Sequence, residues 1–380
     1  MQKRYFLLAP LTCALIINSC TVATSPQAAG TLPPATTTQP NATQTVPTSG
    51  SPTPYSMPIT WSALHLSGKL IYAISTSDVT NSYMDIQELD LVTGGIKTIF
   101  QSDPNGWIDS VVISPDSKII ILIYSPPAAQ KGANLSSLTL TSIPMDGSQA
   151  PRQLFPLPSN GDQALEPAWS PDGMYLYFVL VNNSVAPAEP NQHFPIYRIY
   201  RAAYPNGQLE QIAEKAYWPR ISADGSRLVY VSENPDDGTN KLFVANSDGS
   251  HPTQILLTGA NAPTIIDAPV ILPDGKTILF NAPTPLQSSA SPWLDWLFGV
   301  IQVSAHSLPS EWFSAPLSGG AVTQLTHIRA AGLYAAISPD RHTIASFSGD
   351  GLFVMKMDGT DLTMLVTDTG GNLGTVSWIP

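Results

Sequence analysis

Ser170-Pro171-Asp172-Gly173 is followed at once by Tyr175-Leu176-Tyr177-Phe178-Val179-Leu180-Val181. The first four residues suit a type I turn. Serine opens it, proline fixes φ at the second place, aspartate takes the third, and glycine closes. The run after it is apolar at successive positions. A strand with one wet face would alternate, so this one is expected to be buried on both faces.

The same phrase recurs through the chain. Copies stand at Ser114-Pro115-Asp116, Ser222-Ala223-Asp224-Gly225, Leu272-Pro273-Asp274-Gly275 and Ser338-Pro339-Asp340, with a degenerate first copy at Leu66-Ser67-Gly68. The five turn aspartates are 56, 52, 50 and 66 residues apart, a period typical of arrays and propellers. Ser117 and Arg341 take the place of the closing glycine. Strands are expected after each turn, at Lys69–Ile74, Lys118–Tyr124, Tyr175–Val181, Arg227–Val231, Thr277–Phe280 and Thr343–Phe347.

A second phrase alternates with the first. It reads Thr93-Gly94-Gly95, Met145-Asp146-Gly147, Pro205-Asn206-Gly207, Ser247-Asp248-Gly249, Ser318-Gly319-Gly320 and Met357-Asp358-Gly359. Asp-Gly and Asn-Gly are strong hairpin signals. Each repeat thus reads as a four-stranded antiparallel meander, six times over. A linear stack would leave two exposed end sheets, whereas closing the ring removes them and leaves an axial channel. The expectation is an all-β, six-bladed β-propeller. These phrases, in register over 59–380, resemble the WD-like repeats of TolB-type six-bladed β-propellers. The resemblance implies a periplasmic or surface protein-binding propeller and carries over no catalytic residue.

Closure makes a specific prediction. Thr375-Val376-Ser377-Trp378-Ile379-Pro380 looks like the strand before a Ser-Pro-Asp turn, as in Glu166-Pro167-Ala168-Trp169-Ser170-Pro171. It is expected to complete the blade begun by Lys69–Ile74, in competition with Ile59-Thr60-Trp61.

The N-terminus reads as an address. Lys3 and Arg4 precede an apolar stretch, Phe6 to Ile17, too short to span a bilayer. Ile17-Asn18-Ser19-Cys20 resembles the lipobox of bacterial lipoproteins, which implies lipidation at Cys20; the other reading is an ordinary signal peptide. Residues 1–20 are therefore expected to be a lipoprotein signal peptide. Residues 21–58 hold ten Thr, eight Pro, four Ser and no charge, and read as a disordered tether with a span of about 35 Å. Cys13 and Cys20 are the only cysteines, so no thiolate serves 59–380.

Chemistry is sparse. Net charge −11 argues against nucleic acid. No nucleophile elbow, zinc-protease motif, phosphate loop or dinucleotide fingerprint occurs, and the six histidines lack ligand spacing. No catalytic residue, metal or cofactor is expected. Asp236-Asp237-Gly238 reads as an exposed turn. The innermost strand of each blade should begin six or seven residues before the turn aspartate. Asp109, Glu166, Trp218, Asp267 and Tyr334 occupy those places. They are either solvated loop residues or a channel-mouth group suited to a cation or cationic side chain.

The 66-residue repeat carries an insertion in the fifth blade. Trp293, Trp296, Leu297, Val300 and Ile301 fall on one helical stripe, behind Ser291-Pro292 as a helix start. A short amphipathic helix near 292–303 is expected, either packed on the propeller or docking a partner. The functional expectation is a monomeric, lipid-anchored extracytoplasmic propeller that binds a protein or cell-wall ligand without catalysis. The rival is an envelope propeller enzyme of metal-dependent hydrolase or cyclotransferase type.

Overall fold

The computed structural model describes residues 59–127, 137–158, 162–182, 196–233, 239–259, 262–283, 308–367 and 375–380. Cys20, the tether, Asp236-Asp237-Gly238 and the stripe of Trp293, Trp296, Leu297 and Ile301 lie outside them.

The strands run blade by blade. After a short 3-10 turn, Trp61–Leu64, blade 1 begins with β1 (Lys69–Ser77), β2 (Ser82–Asp90) and β3 (Ile96–Gln101). Blade 2 is β4 (Trp107–Ile113), β5 (Ile119–Ser125), β6 (Thr139–Pro144) and β7 (Arg152–Gln153). Blade 3 is β8 (Gln163–Trp169), β9 (Tyr175–Asn182), β10 (Ile196–Ala203) and β11 (Glu210–Glu214). Blade 4 is β12 (Ala216–Ile221), β13 (Arg227–Glu233), β14 (Asn240–Asn246) and β15 (Thr253–Ile255), followed by β16 (Leu257–Thr258). Blade 5 holds β17 (Asp267–Ile271), β18 (Thr277–Pro283) and β19 (Ser310–Pro316); β20 (Gly320–Ala321) pairs in parallel with β16, and β21 (Thr323–Gln324) completes the blade. Blade 6 is β22 (Tyr334–Ile337), β23 (Thr343–Ser348), β24 (Gly351–Lys356) and β25 (Thr363–Val366). Finally β26 (Val376–Ile379) pairs antiparallel with β1, giving blade 1 the order β26-β1-β2-β3.

The described residues thus form six four-stranded sheets, and the C-terminal strand closes the first blade as the sequence predicts. The competing segment around Trp61 forms the 3-10 turn instead. Inner strands touch in the cycle β26, β4, β8, β12, β17, β22 and back to β26, which makes the ring continuous.

The apolar runs explain the stacking. On β5, Ile120 and Leu122 enter the core shared with blade 1, while Ile121 and Ile123 enter the core shared with blade 3. A continuous apolar run is therefore two interleaved period-2 patterns, each serving a different neighbour. Six such cores lie between the six pairs of blades. Burying one of these side chains contributes roughly 1.5–3 kcal/mol. The outermost strands β3, β7 and β11 are largely exposed.

The turns are built as their residues dictate. In all five copies the closing residue donates its N–H to the opening carbonyl, at 2.8–2.9 Å. The Ser170 hydroxyl donates to Asp172 (2.6 Å) and accepts from the Tyr175 N–H (2.8 Å), and Asp172 also accepts from the Met174 N–H (2.9 Å). Ser114, Ser222 and Ser338 repeat the arrangement. Ser117 (φ 58°) and Arg341 (φ 66°) adopt the left-handed conformation that Gly173 (φ 71°) adopts, so they depart from the phrase in residue and not in shape.

Candidate functional site

Four of the six inner strands are interrupted near the axis. Register shifts fall between Ile108 and Ser110 in β4, Leu165 and Ala168 in β8, Tyr217 and Arg220 in β12, and Asp267 and Val270 in β17. Glu166 (φ 52°), Trp218 (φ 57°) and Ala268 (φ 43°) sit at these bulges in the left-handed region, six residues before their turn aspartates. A non-glycine residue costs on the order of 1 kcal/mol there. Bulges of this kind re-aim side chains.

The re-aimed residues meet. The Trp218 backbone N–H donates to Glu166 Oε2 at 2.5 Å, and its indole Nε1–H donates to Asp267 Oδ1 at 3.0 Å. The Trp218 and Tyr334 rings are 5.3 Å apart, centre to centre. Asp109 stands near enough to act electrostatically on both Glu166 and Tyr334. The structure therefore brings together all five positions read from the sequence, and it places them in or at the start of strands. Trp218, Asp267 and Tyr334 are buried, so the solvated-loop alternative does not hold for them.

Burial governs the charges. It pushes the Glu166 carboxyl up to about 8, against the opposing pull of the Trp218 N–H and Arg220, with Asp267 and Asp109 adding to the rise. The Asp267 carboxyl is likewise pushed up to about 8 by burial, opposed by the Trp218 indole. The Tyr334 hydroxyl is raised well above its ordinary value by burial and by the three acids. Burial lowers the Arg220 guanidinium, and Glu166 and Tyr334 oppose that.

Arg220 and Thr375 are the members that the sequence reading missed. Arg220 lies four residues before its turn aspartate, where the other blades carry Val112, Ala168, Val270 and Ala336. A lone arginine in that apolar column was the available signal. It lies 5.3 Å over the Trp218 ring. Thr375 is one residue before β26, and its hydroxyl accepts from the Val111 N–H (2.8 Å) and donates to the Val111 carbonyl (2.7 Å). A side chain thereby extends the backbone pairing across the join between blades 1 and 2.

A cavity of about 180 Å³ lies on the axis, lined by residues from or beside all six inner strands, including Val112, Ala168, Arg220, Val270, Tyr334 and Thr375. Elsewhere, the buried Glu311 is engaged by the Thr326 hydroxyl and the Ile328 and Arg329 N–H groups, each at 2.8 Å, and organises that loop. Among the described residues no group of three or more His, Cys, Asp or Glu stands close enough to share a metal ion. No helix among them is long and apolar enough to cross a membrane.

Solved structures share this architecture. TolB from Acinetobacter baumannii superposes with a TM-score of 0.54 at 16% identity, over 82% of this chain and 67% of that one. A putative TolB from Agrobacterium tumefaciens gives 0.53 at 16%, over 83% and 100%. A chain of the nidogen/laminin complex gives 0.52 at 10%, over 82% and 98%. At these identities the likeness is one of fold. No known sequence family and no curated protein matches the chain.

Proposed function

We propose that this chain is a lipid-anchored, extracytoplasmic β-propeller that binds a protein or cell-envelope ligand at its axis, without catalysis. The observation that carries the reading is the axial group itself. Inner strands of five blades, four of them bulged, deliver Asp109, Glu166, Trp218, Arg220, Asp267 and Tyr334 to one small neighbourhood, beside a cavity. Convergent polar groups at a pore are the usual makings of a binding site. Cys20 is the lipid attachment point in this reading. Residues 21–58 set a reach of about 35 Å from the membrane.

Two experiments test it. Metabolic labelling with palmitate in a bacterial host should mark the wild type and leave Cys20→Ser unlabelled and unattached to membranes. Equal labelling of both would remove the anchor. Cross-linking followed by detergent extraction should recover a specific envelope partner.

A second reading has one observation in its favour. Two carboxyls pushed up to about 8 beside a cavity are the poise of general acids. Recovery of no partner, together with hydrolase activity abolished in Glu166→Gln, would favour an envelope enzyme.

A further inference from the structure

Most residues around the axial cavity are apolar, Val112, Ala168, Ala268, Val270 and Val376 among them. Arg220 is its one charged lining residue. It lies deep in the ring, yet part of its surface stays accessible.

A guanidinium has five N–H donors. One nitrogen donates to the Pro219 carbonyl at 2.8 Å, and no carboxylate among the described residues forms an ion pair with Arg220. The nearby acids are turned elsewhere: Glu166 accepts from the Trp218 backbone, and Asp267 accepts from the Trp218 indole. Its interactions with Glu166 and Tyr334 only partly offset the burial of its charge. Here the cation borders open space, and a cavity of about 150 Å³ already admits a benzene-sized molecule.

We infer that Arg220 makes the axial cavity a binding site for a carboxylate, carried by a small free acid or by the C-terminus of a chain inserted into the bore. The inference deepens the binding reading above and rests on it. Guanidinium and carboxylate match in a planar, two-bond geometry, and side chains such as Val112, Val270 and Val376 take the carbon behind the carboxylate.

The acids on neighbouring strands set the pH window. Glu166 on β8 and Tyr334 on β22 act on Arg220 directly, and Asp109 on β4 and Asp267 on β17 act on those two in turn; Thr375, just before β26, adds an uncharged hydroxyl to the cavity wall. Below about 8, Glu166 and Asp267 hold protons, and Tyr334 is neutral. The two groups that act directly on Arg220, Glu166 and Tyr334, are then both uncharged. Above 8 the two acids ionise and repel an anion.

The test is calorimetric titration of the detergent-extracted full chain with acetate, acetyl-trialanine, its C-terminal amide and methylammonium. At pH 6 at least one free carboxylate should bind, with affinity falling at least tenfold by pH 9 and lost in Arg220→Met. Acetate binding alone assigns a free acid. Binding of acetyl-trialanine but not its amide assigns a chain terminus. If Arg220→Met does not fold, the wild-type pH series and the amide comparison still decide. The inference falls if neither carboxylate binds at pH 6, if methylammonium binds more tightly, or if folded Arg220→Met binds equally well. Failure of the carboxylates while a specific envelope partner is still captured would sink this inference and leave the binding reading standing.

Discussion

Asp172 and Glu166 are six residues apart, at opposite ends of a short stretch of one blade, and their carboxyls are driven in opposite directions. Asp172 is exposed, and the Ser170 hydroxyl and the Met174 N–H hold it below the ordinary range. Asp116, Asp224, Asp274 and Asp340 behave alike, and Asp224 falls to about 2. Glu166, half-buried, and Asp267, buried, stand at the axis, and burial raises both to about 8. The repeat thus places one acid where donors shape a turn and another where the ring withholds water. Environment, more than residue type, separates scaffold from site.

The contrast fixes a pH profile. The turn acids contribute stability that is present above their unfolded value near 4 and is lost as pH falls through their depressed native values. The axial acids act the other way. Their native state holds protons more tightly than the unfolded chain, so stability falls as pH rises from about 4 to about 8.

The largest effect should come from the axis. Urea unfolding should show a loss of a few kcal/mol between pH 5 and pH 9, since each pKa unit is worth about 1.4 kcal/mol. Asp267→Asn should flatten that decline, and an unchanged slope would break the comparison. Next comes the seam at the same level of the ring. Thr375→Val removes both hydrogen bonds to Val111 and should cost about 2 kcal/mol in thermal unfolding. At the turns, Ser170→Ala strands the Tyr175 N–H and should cost roughly 1–2 kcal/mol, with no effect on the alkaline limb. The smallest effect sharpens the turn side. Ser117→Gly and Arg341→Gly relieve a left-handed backbone and should each stabilise by up to about 1 kcal/mol. A loss of stability in either would mean that those side chains contribute more than their strain takes away.

The turns and the stacked blades were legible because their signals are local. Ser170 and Asp172 bond within five residues of themselves, and the run at Ile119-Ile120-Ile121-Leu122-Ile123 declares two buried faces by itself. Five axial residues were legible through their fixed distance from the turn. The left-handed bulges were not, because Glu166, Trp218 and Ala268 are residue types that do not advertise positive φ. Arg220 was overlooked because its meaning lies in a column of small apolar residues drawn from other blades. Thr375 was hidden because its partner, Val111, is 264 residues away.

That separation has a kinetic side. The inner edge of β1, carrying the buried Leu70, Ile71 and Tyr72, finds its partner in β26, and the Trp378 indole reaches Ser67 across 311 positions. At about 5–20 residues per second, roughly 15–60 s of synthesis divide the two strands. For that interval the opening sheet holds an unsatisfied, sticky margin. The other five sheets assemble from neighbouring sequence, while the first must wait for a distant stretch, which makes the clasp the slow event and the point where nascent copies would snag on one another.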